Sequence, residues 1–208
     1  MENSNLPIMT WYLCMALMSF SKKGISALEM QRQLGATRYR TVWTLMKRIR
    51  TAMGRRDDRY NLEGFIEMDE GYFSTATPST TQLKRGRGSQ AKGKVAVMAE
   101  STPLENIETG KKESHFRYAK MKVVHSHNPK EINKVLAKNV NKTSVLITDR
   151  STSYSDFSQM FETHISEKTT KEVTKTTLKW VYIAISNAKR NLLGIYHMIK
   201  KIPSILFR

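Results

Sequence analysis

The chain has 208 residues, enough for one large domain or for a small and a medium one with a real core. Its formal charge of +17, from 35 Lys and Arg against 18 Asp and Glu, attracts polyanions, of which nucleic acid is the commonest in a cell. A single cysteine, Cys14, excludes an intramolecular disulfide and a thiolate zinc site, and a mean hydropathy of -0.49 places the chain among soluble globular proteins.

The apolar run from Pro7 to Phe20 predicts a buried first helix. It is too short to span a bilayer, and no Lys or Arg precedes it as in a signal peptide, so the expected location is the cytoplasm, with no membrane partner. Ser26, with Glu29 three residues on, has the capping-box arrangement and opens a short helix that Gly35 closes. Thr37 is placed to cap a third helix, Arg38 to Met53. Val42, Leu45, Met46 and Ile49 form its apolar stripe, and Arg38, Arg40, Lys47, Arg48 and Arg50 lie largely elsewhere. Short helix, Gly-containing turn and longer basic helix follow the helix-turn-helix plan, in which early residues of the last helix meet base edges. Arg38, Tyr39, Arg40, Thr41 and Thr44 are the candidates for DNA contact. The same signals fit a three-helix bundle with a solvated basic face.

The run Arg55-Arg56-Asp57-Asp58-Arg59 lacks periodicity and marks a boundary, dividing a helical region, 1–60, from a second domain, 61–208. Strands are predicted at Gly64 to Phe73, Lys94 to Ala99 and His115 to Val124, with a Thr-, Ser-, Gly- and Lys-rich loop from Ser74 to Gly93. A helix from Pro129 to about Asn139 follows, then a strand from Ser144 to Asp149 and a helix from Thr152 to Phe161. A short strand near His164 and Ile165 precedes a long helix from about Leu178 to Lys200. The expected class is therefore α/β: a helix-turn-helix region followed by a ribonuclease H-like domain with a mixed sheet.

In that order of elements the first and fourth strands are neighbours, which would bring Asp69 and Asp149 together. Two close carboxylates raise each other's pKa unless a cation compensates, and oxygen donors in this number suit Mg²⁺ or Mn²⁺. Two divalent ions about 3.5 to 4 Å apart would activate a water or a 3′-hydroxyl and stabilise the leaving oxygen of an in-line displacement. The bland alternative is that both aspartates serve as turn or cap residues. Lys84, Arg85, Arg87, Lys92 and Lys94, interleaved with Gly86, Gly88 and Gly93, make either a DNA clamp that lets backbone approach phosphate or a solvated hairpin loop. The five histidines show no metal-ligand spacing.

Several stretches together carry a resemblance. They are Trp180-Val181-Tyr182-Ile183-Ala184-Ile185-Ser186-Asn187-Ala188-Lys189-Arg190 running on to Gly194 and Tyr196-His197, Met68-Asp69-Glu70-Gly71-Tyr72, the Lys84 to Lys94 segment, and Ile147-Thr148-Asp149. In this order and spacing the sequence resembles the DDE-type transposases of bacterial insertion sequences, in the ISXO-like group numbered fifteen-ninety-five. Ser21 to Ala27 and Gln31 to Gly35 look like that group's helix-turn-helix. The resemblance implies metal-dependent DNA cleavage and strand transfer at transposon ends, with Asp69 and Asp149 as metal carboxylates. It also implies DNA as partner and a homo-oligomer that joins two ends.

At the third position some members have Asn where others have Glu, with a Lys downstream; Asn187 and Lys189 occupy that neighbourhood here. Helix geometry leaves the position open. Residues seven apart, Tyr182 and Lys189, share a face, whereas Asn187 and Lys189 are about 200° apart. Arg190 is a further DNA candidate. Members of the group commonly begin with a cysteine-rich ribbon and continue past this helix, so a copy shortened at both ends is expected. A repressor of transposition that binds ends without cutting them is the competing reading.

Overall fold

The computed structural model describes residues 4–21, 24–74, 92–105, 110, 112–124, 129–149, 157–168, 170, 172 and 174–195. Three helices come first: α1 (Ile8–Phe20), α2 (Ala27–Gln33) and α3 (Tyr39–Asp57). The Ser26 hydroxyl accepts from the Glu29 N–H at 3.1 Å, so α2 starts at the predicted cap. It ends as predicted too, with Gly35 just beyond it at φ +59.

Three expectations in this region are corrected. The residue before α3 is Arg38, without a side-chain cap, in place of Thr37. Helix α3 runs on through Arg55, Arg56 and Asp57, because Arg is a good helix former and cations suit a helix C-terminus. Only Trp11 and Cys14 of α1 are buried, while Ile8, Met9, Tyr12, Leu13 and Phe20 are exposed; this helix covers a core with one side only. That core joins Trp11 and Cys14 to Met30 of α2 and to the α3 stripe of Val42, Leu45, Met46 and Ile49.

The remaining elements are β1 (Phe65–Ser74), β2 (Lys92–Glu105), β3 (Lys112–Val124), α4 (Pro129–Asn139), β4 (Val145–Asp149), α5 (Phe157–Met160), β5 (Thr163–Glu167) and α6 (Lys179–Ile195). Their order is the predicted one, although β2 continues six residues beyond Ala99. Its polar tail, Glu100 to Glu105, gave no apolar alternation to read and is carried by pairing with β3. The sheet order is β3-β2-β1-β4-β5, antiparallel on the β1–β2–β3 side and parallel across β1–β4–β5. An α/β domain with a mixed five-stranded sheet and helices results, compatible with the ribonuclease H-like class.

Alternation along β1 sorts the two layers. Ile66 and Met68 join Ile132 and Leu136 of α4 and Phe157 of α5 on one face. On the other face Phe73, with Val95, Val97 and Ala99 of β2, packs against Val181, Ala184 and Ile185 of α6. Ahead of the β1–β4 ladder, Leu62 pairs with Val140, and the Val145 N–H donates to the Gly64 carbonyl at 2.9 Å. Among the described residues no helix is long and apolar enough to cross a membrane.

Gly71 of β1 faces α6. A Cβ there would stand 2.7 Å from the ring of Phe73 and 3.5 Å from Ile185. Since Phe73 is itself fully buried, the ring has no free space to yield. Gly71→Ala is expected to destabilise the domain by about 1–3 kcal/mol; a urea melt in which its midpoint equals the parent's would contradict this packing.

Candidate active site

Strand β1 runs out of its apolar stretch at Asp69, and β4 ends at Asp149. The parallel register pairs Met68 with Thr148, so the two aspartates are the next neighbours along the ladder, on strands about 4.8 Å apart. Asp69 lies opposite Val97 of β2, a residue of the α6-side core, so its side chain emerges into the α6 layer. Both carboxylates are half-buried. Burial, reinforced by the charges of Asp149 and Glu70, pushes Asp69 up to about 6; the Glu70 N–H, donating at 2.7 Å, and the Tyr182 hydroxyl oppose that rise.

Two residues earlier on the same face stands Glu67, 3 % exposed, which sequence reasoning passed over. Its Oε2 accepts from the backbone N–H groups of Trp180 at 2.7 Å and Val181 at 2.9 Å. The first turn of α6 has no acidic side chain of its own, and a strand carboxylate supplies the cap and the negative charge that a helix N-terminus favours. Burial still dominates: it raises Glu67 to about 7 against those two hydrogen bonds and the attraction of Lys179. The only sequence signal was its spacing, since residues two apart on a strand share a face.

Within the same first turn of α6, the Tyr182 hydroxyl donates to Asp69. Tyr182, therefore, is an α6 residue brought to Asp69. Lys189 is exposed and, seven residues on, lies within about 20° of Tyr182 around the helix. Asn187 lies about 140° from Tyr182, exposed, in a groove on the helix flank together with Arg190. Asn187 thus leaves α6 on a different side from Tyr182.

Of the other predicted contacts, Arg38, Tyr39 and Arg40 are exposed at the start of α3, and Thr41 and Thr44 are half-buried. Lys92 and Lys94 begin β2, in line with Ala96 and Met98 and hence on the α4 side of the sheet. Lys84, Arg85 and Arg87 lie outside the described residues.

The sequence model of the ISXO2-like transposase domain matches residues 61–202, a span that runs from before β1 through all of α6. This chain belongs to that transposase family. No curated protein matches it. The transposase match encloses Asp69, Asp149 and Tyr182, and it leaves the three N-terminal helices outside.

Among the described residues no group of three His, Cys, Asp or Glu side chains is placed to cage a metal ion. Two neighbouring carboxylates nevertheless suit Mg²⁺, which is commonly held by one or two of them and completed by water and substrate phosphate. Burial first, and then the charges of Asp149 and Glu70, raise Asp69, and a divalent ion held there would favour its ionised form.

Both raised carboxyls bind protons more readily in the folded than in the unfolded chain, so their stabilising effect is complete in acid and lost as pH rises through about 6 and about 7. In metal-free buffer the melting temperature is therefore expected to fall between pH 5 and pH 7.5. Asp69→Asn and Glu67→Gln should each flatten that fall, and Mg²⁺ should oppose it at pH 7. Thermal melts across this range test the assignment, which fails if both variants keep the parent's slope.

Proposed function

We propose that this transposase-family chain cuts DNA at the ends of its insertion sequence and joins the freed 3′ end to target DNA, using Mg²⁺ or Mn²⁺. The observation that supports it most is the side-by-side position of Asp69, midway along β1, and Asp149, at the end of β4. These two would hold the ion, whose contribution is Lewis-acid polarisation of the phosphate and an acidified water.

The chain's own groups do the rest. Asp69 and Asp149 work ionised. Glu67, through the N–H groups of Trp180 and Val181, holds α6 so that Tyr182 keeps its hydroxyl proton directed at Asp69. Lys189, on the Tyr182 face, meets the phosphate charge. The N-terminal helices are a separate unit, divided from the catalytic domain near residue 60. In that unit α2, the Gly35 turn and α3 act as a helix-turn-helix. Arg38, Tyr39, Arg40, Thr41 and Thr44 approach the bases, a reading favoured by the exposure of the first three. Joining two ends calls for at least two copies, acting in the cytoplasm where the DNA lies.

A second reading, end binding without cleavage, is favoured by one observation: at the third corner Tyr182 offers a neutral phenol where a carboxylate would add charge. Nicking of a duplex bearing the terminal inverted repeats separates the two. On the first reading the parent cuts only with divalent metal, and Asp69→Asn or Asp149→Asn lowers the rate by about 100-fold or more while binding persists. On the second the parent binds without cutting and Tyr182→Glu gains metal-dependent nicking. Cutting that survives loss of both aspartates excludes each.

A further inference from the structure

Along the exposed flank of α6 runs a groove of about 410 Å³, walled by Lys175, Lys179, Tyr182, Ser186, Asn187 and Arg190. Among the described residues no acidic side chain lines it. Other grooves on the molecule differ: one between the N-terminal helices and α6 includes Asp57, and another, beside β2, includes Glu63 and Glu100. Lys175 and Arg190 are exposed, and the Lys179 ammonium is held 4.6 Å above the Trp180 ring, in place before any ligand arrives.

Tyr182 belongs to both sites. Its ring forms part of the groove wall while its hydroxyl donates to Asp69. From Lys179 to Arg190 the helix advances about 16 Å, long enough to follow more than one phosphate of a single strand. The Asn187 amide, with two N–H donors, suits phosphate oxygens far better than it suits a metal that prefers charged oxygen.

We infer that this groove carries the sugar-phosphate backbone of the DNA strand that continues from the phosphate at Asp69. Lys175, Lys179 and Arg190 are its ionic contacts and Asn187 its hydrogen-bonding one. The ligand's identity rests on the DNA reading above, while the groove's role is independent of whether the chain cuts.

The test is fluorescence anisotropy of the full chain on a labelled 30-base-pair duplex of arbitrary sequence, across a series of salt concentrations. Lys175→Gln with Lys179→Gln should reduce the slope of log affinity against log salt by about two and weaken low-salt binding about tenfold. Asn187→Ala should weaken binding severalfold with the slope unchanged. Lys134→Gln with Lys138→Gln, on α4 across the sheet, should leave the slope as it was. A parent-like slope in the groove variant, or an equal loss in the α4 variant, overturns the inference while leaving DNA binding intact; a parent chain that binds no DNA at low salt overturns both.

Discussion

Glu67 is the residue on which the relation of α6 to the sheet depends. A carboxylate buried in the middle of an α/β domain is costly unless it is hydrogen-bonded, and Glu67 meets that requirement with two backbone donors that α6 cannot satisfy within itself. The strand therefore needs the helix to solvate its acid, and the helix needs the strand to end its ladder of N–H groups. Because Asp69 is two residues away on the same face, the same contact fixes how Tyr182 meets it. Gly71, the next residue on that face, admits the helix by having no side chain.

Charge is distributed unevenly. The chain is strongly basic as a whole, yet β1 gathers three acids within four positions, Glu67, Asp69 and Glu70, and Asp149 adds a fourth from β4. Negative charge concentrated in this way, inside a positive envelope, is tolerable where a cation is shared with a phosphate. Tyr182 moderates that concentration without adding to it, through a hydrogen bond in place of a charge.

Much of this was legible in the residues. The aspartates were conspicuous because each ends an apolar, β-branched run, and the order of elements was enough to put their strands side by side. The Ser26 and Gly35 signals set the ends of α2 because capping is local chemistry. Glu67 was hidden for the opposite reason: its partners are backbone groups 113 and 114 residues away, and backbone has no sequence signature. The choice between Tyr182 and Asn187 depended on the rotation of α6 about its own axis, which is fixed by the burial of Val181, Ala184 and Ile185 against the sheet. The one-sided exposure of α1 was equally unreadable, since an apolar sequence does not say how many neighbours are available to cover it.

The parallel pairing of β1 with β4 carries a consequence for how this site can be lost. Side chains alternate with a period of two, so sliding β4 by a single residue would leave Asp69 beside α6 and deliver Asp149 to the α4 layer. Strand β4 has only five residues, and its alignment is pinned upstream by the Leu62–Val140 bridge and the hydrogen bond from Val145 to Gly64. A change at those plain backbone clasps, outside the aspartate pair itself, would dismantle it as completely as replacing an aspartate. An eroding copy of the gene can in this way keep every catalytic letter and still fall silent.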